Sequence, residues 1–276
     1  MEVFRKYKLL LPLVICLVIT IGMGLFLLIP QGEPKDTETE PETGTETDVE
    51  TEPTETEDEI PPMPALNFKS DLSAYEAYMN VPAGSYLMLV NKQNPLSESY
   101  VPDGRISVKD TTKDITLVEA AEKALEAMFI EMRAAGFKNV FVTSAYRSYS
   151  YQNLVFNTYI TNEMKADRTL SEAEAREKVL RYSAAPGTSE HQTGLCVDLM
   201  VNTMTDLDET FADYPVYDWL LENAWKFGFI LRFPEDKTHI TGYDFEPWHY
   251  RFVGRDDAYM IYARGLCLEE YVAEDQ

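Results

Sequence analysis

Residues 67–276 predict an α+β fold, a small central antiparallel sheet flanked by helices. Short apolar runs with strand character occur at Val140–Ser144, Leu195–Leu199, Phe229–Leu231 and Trp248–Val253. Helical periodicities lie among them, the clearest over Leu117–Ala135. The two kinds of segment mix without the regular strand–helix–strand alternation that builds a parallel sheet, so antiparallel pairing is expected.

Taken in order, the chain opens on an apolar run. Leu9 to Ile29 is 21 residues without a charge, and a spanning helix needs about 20. No small-residue cleavage pattern follows, which favours an uncleaved anchor over a secretory signal. Arg5, Lys6 and Lys8 precede the run, so the positive-inside rule puts the N-terminus in the cytoplasm and the remainder outside. Cys16, inside the run, reads as a membrane-packing residue. From Gln31 to about Ala65 the chain is Thr, Glu, Pro and Asp, with thirteen acids against Lys35 between positions 31 and 60. Such a segment buries too little to offset ordering entropy, and like charges with prolines extend it. It reads as a stalk, whether a purposeful spacer or a plain solvated linker. The expected organisation is 1–30 cytoplasmic tip and anchor, 31–66 acidic stalk, 67–276 folded domain.

Within the domain, Asp71–Met79 predicts a short helix with Ser70 as N-cap, and Tyr86–Val90 a strand. In Leu117–Ala135, Leu117, Ala120, Ala121, Ala124, Leu125, Met128 and Met132 share one face, and Gly136 stops the helix. The strand Val140–Ser144 delivers Tyr146 and Arg147 to its end. Tyr149–Met164 predicts a helix; Ser171 caps another, with Glu174 completing a capping box. Pro186-Gly187 breaks the chain. Tyr217–Phe227 predicts a helix stopped by Gly228, and Asp256–Ala263 a final one. Cys196 and Cys267 are expected as free, buried thiols, although an extracellular setting permits a disulfide.

The net charge of −23 argues against a nucleic-acid partner and against electrostatic docking on anionic lipid. The three histidines are more informative. Two stand in short segments rich in chemistry, Ser189-Glu190-His191-Gln192-Thr193-Gly194-Leu195-Cys196-Val197-Asp198-Leu199 and Glu246-Pro247-Trp248-His249-Tyr250. His191, Asp198 and His249 are borderline ligands that suit zinc, and a catalytic zinc keeps three protein ligands and a water. Glu246, three positions before His249, is in place to take a proton from that water. Arg147, at a strand end, has the charge to stabilise an oxyanion. Plainer readings stand beside these: a lone His is commonly a core or surface residue, and Glu246 and Arg147 would also serve as ion-pair partners. His239, in Lys237-Thr238-His239-Ile240-Thr241, is expected outside the ligand set and is its main competitor.

The pattern Ser189-x-His191-Gln192-x-Gly194-x-x-x-Asp198, followed by Glu246-Pro247-Trp248-His249, resembles the zinc D-alanyl-D-alanine carboxypeptidases of the VanY type. The relatives of that family include L,D-carboxypeptidases of cell-wall tetrapeptides. The resemblance also takes in Ser144-Ala145-Tyr146-Arg147-Ser148-Tyr149 and Gly265-Leu266-Cys267-Leu268-Glu269-Glu270-Tyr271, and so spans roughly Ser85 to the C-terminus. It implies the Hedgehog/DD-peptidase-like zinc domain, one zinc ion, and a peptidoglycan stem peptide as partner. It further implies that Arg147 lies near the substrate, that Gln152 and Ser189 hold the substrate's terminal carboxylate, and that Tyr243 and Trp248 line the pocket. Plain core packing is an equal reading for those two aromatics. The expectation is a monomeric, membrane-anchored enzyme on the cell-wall side that removes C-terminal D-alanine from stem peptides. L,D-carboxypeptidase action on tetrapeptide stems, or a non-catalytic wall-binding ectodomain, are the alternatives. A binding-only descendant would be free to lose Glu246 or a ligand, and this chain keeps all four residues together.

Overall fold

The computed structural model describes residues 61–274. The expected anchor and residues 31–60 of the expected stalk lie outside them. Among the described residues, no helix is long and apolar enough to cross a membrane. Residues 61–66, expected as the end of the stalk, are tied to the domain instead. The Tyr259 hydroxyl donates to the carbonyls of Pro61 and Pro62 (2.7 and 3.2 Å), and Met63 and Leu66 pack against a cluster around Trp225, Tyr259 and Leu268.

The elements, in order, are α1 (Glu76–Met79), β1 (Arg105–Ser107), β2 (Thr116–Val118), α2 (Glu119–Ala134), β3 (Val140–Ser144), α3 (Tyr149–Ala166), α4 (Glu172–Tyr182), β4 (Cys196–Val201), α5 (Pro215–Asn223), β5 (Phe229–Leu231), α6 (Thr238–Thr241), β6 (His249–Phe252), α7 (Arg255–Arg264) and α8 (Leu268–Glu274). The central sheet is antiparallel in the order β3-β4-β6-β5, and β1 and β2 form a separate hairpin. This is the expected α+β architecture.

Periodicity explains how the sheet meets its helices. On β4, Val197, Leu199 and Val201 join one core cluster with Ala121, Ala124, Leu125 and Met128 of α2. Tyr250 and Phe252 of β6 enter the same cluster. Burying each such large side chain contributes roughly 1.5–3 kcal/mol. The alternate residues of the two strands, Cys196 and Asp198, His249 and Arg251, then share the opposite face. They too are buried, so chemistry-bearing groups lie under cover on the second face of the sheet.

Several expectations are corrected. The stretch Tyr86–Val90 is not a strand: Tyr86 ends a turn and the rest has no regular structure, while Tyr86 and Met88 give their carbonyls to Arg251 Nη2 (2.8 and 2.9 Å), so a side chain takes the place of a neighbouring strand. The helix expected from Leu117 starts at Glu119, because Thr116–Val118 pairs with β1. Ser70 does not cap the first helix: its N–H donates to Glu131, and Asp71 Oδ1 accepts from Ser73. That helix is a 3₁₀ turn, Ser73–Tyr75, running into α1. The capping box at Ser171 and Glu174 forms as expected. Cys196 and Cys267 are free and buried.

Gly228 closes the turn into β5 at φ +83°, where an added Cβ would sit 2.7 Å from the Phe252 ring and 3.0 Å from the Gly254 backbone. Gly136 also has positive φ, but its Cβ would meet nothing within 4 Å. Gly136→Ala therefore carries backbone strain alone, about 1–2 kcal/mol. Gly228→Ala adds overpacking and should cost at least about 3 kcal/mol. Urea unfolding of the two variants checks this; equal losses would mean that the contact with β6 does not constrain the turn.

Candidate metal centre and active site

The register of β4 against β6 sets Asp198 directly opposite His249. His191 arrives from a 3₁₀ turn, Glu190–Thr193, which ends at Gly194 in a left-handed conformation (φ 68°). That turn is pinned on both sides. Gln192 Nε2 donates to the carbonyls of Ser97 and Tyr100, and Thr193 Oγ1 donates to the Glu190 carbonyl. On the other edge, a register irregularity between Val142 and Ser144 bends β3 as it ends. Arg147 follows that bend, and its backbone N–H donates to the His191 carbonyl (3.0 Å).

His191 Nε2 lies 3.2 Å from Asp198 Oδ2, and His249 Nδ1 lies 3.0 Å from Asp198 Oδ1. Neither approach is a hydrogen bond: His191 Nε2 and Asp198 Oδ1 are both buried without a hydrogen-bond partner. Asp198 thus stands between the two imidazoles and turns one oxygen to each. Two ligands each about 2.0–2.1 Å from a tetrahedral zinc would stand about 3.3–3.4 Å apart. Each of the two pairs through Asp198 stands near that separation. Electrostatics agree. Burial and Arg147 disfavour a charged His191, yet the Asp198 carboxylate outweighs them and raises it to about 9. Burial likewise opposes ionisation of Asp198, but the two imidazoles hold it well below the usual range. The centre is negative enough to retain protons, and a cation would replace them.

Cys196 complicates the donor set. Its Sγ and one nitrogen of each histidine form a three-donor group with all atoms within 4.8 Å of one another. Asp198, not Cys196, lines the cavity above the centre, so a ligand entering from that cavity meets the His-Asp-His set.

The cavity has a volume of about 720 Å³. Arg147, Ser189, His191, Asp198, Tyr243, Glu246, Trp248 and His249 all line it, which brings eight of the nine sequence-predicted residues together. Glu246 lies 3.5 Å from His249 Nδ1, and burial pushes its carboxyl up to about 7 against the pull of His249. Arg147 Nε is buried without a hydrogen-bond partner. The ninth residue, Gln152, is not brought to the cavity: it is buried behind the wall, and its amide donates to the Ala184 carbonyl (2.7 Å). His239 is exposed on α6 and away from the cavity.

Other functional candidates escaped sequence reasoning. Phe233 packs its ring 5.0 Å from that of His249, and Tyr182 with the Asp206–Thr210 loop closes the far wall. These come from segments without a motif. Glu190 had a visible signal, a carboxylate next to His191; its side chain is fully buried between Arg232 and Arg251 (2.8 Å each), which hold it ionised despite burial.

The family model described as "VanY: D-alanyl-D-alanine carboxypeptidase" matches residues 114–255, more than half of the chain. The chain belongs to the VanY family. Within that family it is 38% identical over 186 residues to a D-alanyl-D-alanine carboxypeptidase of Enterococcus faecalis, with 67% of this chain and 65% of the relative covered. The chain thus spans just under two thirds of that relative's length. It is 33% identical to the bifunctional D-Ala-D-Ala dipeptidase and carboxypeptidase VanXYC of Enterococcus gallinarum, covering 67% of this chain and 92% of that one. Among solved structures it is similar to VanYB in complex with D-alanine-D-alanine (37% identity, TM-score 0.59, 69% of this chain and 99% of that one). A mutant VanY D,D-pentapeptidase in complex with Zn(II) (37%, TM-score 0.57) covers 68% of this chain and is itself 98% covered. The L,D-carboxypeptidase LdcB (34%, TM-score 0.58) covers 67% of this chain and is 84% covered.

A cation that binds only the folded chain stabilises it by about 2.7 kcal/mol at a hundredfold excess over Kd. Zinc should therefore raise the melting temperature of the metal-free protein and of Cys196→Ala, and fail to raise that of His191→Ala or Asp198→Ala. A zinc response kept by Asp198→Ala and lost by Cys196→Ala would assign the centre to the thiol set.

Proposed function

We propose that this VanY-family chain is a membrane-anchored zinc metallocarboxypeptidase that removes the C-terminal D-alanine from peptidoglycan stem peptides. The observation that carries the reading is the approach of His191 Nε2 and His249 Nδ1 to the Asp198 carboxylate (3.2 and 3.0 Å) under a cavity that Glu246 and Arg147 also line. The relatives' names point to the same substrate class.

His191, Asp198 and His249 would hold one zinc ion. Zinc so bound supplies a Lewis acid and lowers the pKa of its water to about 7. Glu246, poised by burial beside His249, takes the proton of the attacking water and later passes it to the departing amine. Arg147 offers its positive charge to the oxygen that gains negative charge as the scissile carbonyl is attacked. Ser189, two positions before His191 and on the cavity wall, presents a hydroxyl to the terminal carboxylate. Tyr243 and Trp248 supply apolar walls that limit water. Leu9–Ile29 would hold the domain at the membrane with the catalytic domain on the cell-wall side, and the chain would act as a monomer. The match to LdcB keeps L,D cleavage of tetrapeptide stems as the second reading.

Mass spectrometry of stem peptides after incubation decides among these. The pentapeptide should lose one D-alanine, and its C-terminally amidated form should resist. Cleavage of the tetrapeptide in preference to the pentapeptide would select the L,D reading, and equal cleavage of the amidated peptide would make the enzyme an endopeptidase. Glu246→Ala should keep zinc and the fold but lose about 10²–10⁴-fold in turnover. Ser189→Ala should lose roughly 10- to 100-fold in kcat/KM. Near-normal turnover of Glu246→Ala would remove its role as base. Protease added to intact cells should release the domain by cutting within residues 31–60; a domain protected until lysis would reverse the orientation.

A further inference from the structure

The Glu190 carboxylate is used unevenly. Its Oε1 accepts from Arg232 Nε and Arg251 Nη1, both at 2.8 Å. Its Oε2 is buried without a hydrogen-bond partner and faces His249 Nε2 at 3.7 Å. That nitrogen is also buried and unpartnered. Two buried polar groups of complementary character left unpaired are costly, and less than 1 Å of closure would make a charge-assisted hydrogen bond. Cys196 Sγ is also near both imidazoles, and a thiol is only a weak acceptor.

The two ring nitrogens of His249 therefore meet different surroundings. Nδ1 looks at Asp198 and the shared centre, and Nε2 looks at Glu190. A neutral imidazole has one N–H and one lone pair. With the proton on Nε2, it donates to Glu190 and the Nδ1 lone pair points at the centre. With the proton on Nδ1, a lone pair would confront the Glu190 carboxylate. His191 is arranged in the reverse sense: its Nδ1 lies 2.5 Å from the Ala145 carbonyl, which can only accept, so Nδ1 carries the proton and Nε2 faces Asp198.

We propose that Glu190 is a positioning residue, which holds His249 in the Nε2–H form and so makes Nδ1 the atom offered to the metal. The proposal rests on the reading that His191, Asp198 and His249 hold the zinc. Arg232 and Arg251 keep Glu190 charged and fixed in place. Arg232 also grips Glu269 of α8 with its other two nitrogens (2.8 and 2.7 Å), so the C-terminal helix is connected to the metal ligand through two charged residues.

The test is made on the full-length chain. In the zinc-loaded wild type, long-range proton–nitrogen NMR of the histidine rings should find opposite forms, His191 protonated at Nδ1 and His249 at Nε2. The His249 ring proton should exchange slowly. Glu190→Gln would give its amide oxygen to the two arginines and turn its NH₂ toward His249 Nε2, which then needs a lone pair there. Its zinc Kd, measured by chelator competition, should rise about 10- to 100-fold, the usual loss for an outer partner of a metal ligand. Glu269→Gln removes a carboxylate from the same Arg232 without touching the ring, and should change the Kd less than about threefold. A role confined to bracing the fold would weaken both variants alike, and that result would overturn the proposal. So would zinc bound to His249 through Nε2, a measurement that needs no variant to fold. A wild type in which zinc shifts neither histidine would overturn the proposal together with the reading on which it rests.

Discussion

The arrangement depends on one constraint, the pairing of Asp198 with His249 across β4 and β6. Side chains alternate across a strand, so a slip of one residue would move His249 to the α2 face and bring Tyr250 to the metal side. What fixes the register is apolar. Val197, Leu199, Tyr250 and Phe252 must all reach the cluster with α2, and only one alignment lets them do so while Asp198 and His249 remain opposite. The burial that stabilises the domain therefore also sets the geometry of the candidate centre.

The second face of the sheet carries a cost that the first does not. Glu190, Arg232 and Arg251 are almost wholly inaccessible, and removing any one would leave an uncompensated buried charge, typically a loss of about 3–5 kcal/mol. A pair of apolar residues would often be as stable. What the ions add is direction. The two arginines take Glu190 Oε1 and leave Oε2 facing the ring of His249. Arg251 extends the same control outward, since it collects the carbonyls of Tyr86 and Met88 and ties down a segment that lacks regular structure.

Much of this was legible in the sequence for local reasons. β3 and β5 are short apolar runs bounded by turns, the Ser171 capping box is a four-residue signal, and the scarcity of histidine made His191 and His249 conspicuous. What failed to show was what depends on distant partners. Tyr86–Val90 has a strand's composition, but its carbonyls are taken by a guanidinium 163 to 165 positions away. Helix α8 packs Leu268, Tyr271 and Val272 on the Trp225 cluster and also docks through Glu269 and Glu270 on Arg232 and Lys237. The resemblance set Gln152 on the substrate's carboxylate, yet its amide donates to the Ala184 carbonyl. The helix that carries it was legible over Tyr149–Met164, but not the direction of the side chain.

The central claim is that His191, Asp198 and His249 form one metal centre at the base of the cavity. Anomalous diffraction at the zinc absorption edge, on crystals of the zinc-loaded protein, tests it most directly. A single peak is expected about 2.0–2.2 Å from His191 Nε2, an Asp198 oxygen and His249 Nδ1. A peak held by Cys196 in place of Asp198, or one beside His239 with the cavity centre empty, would contradict it.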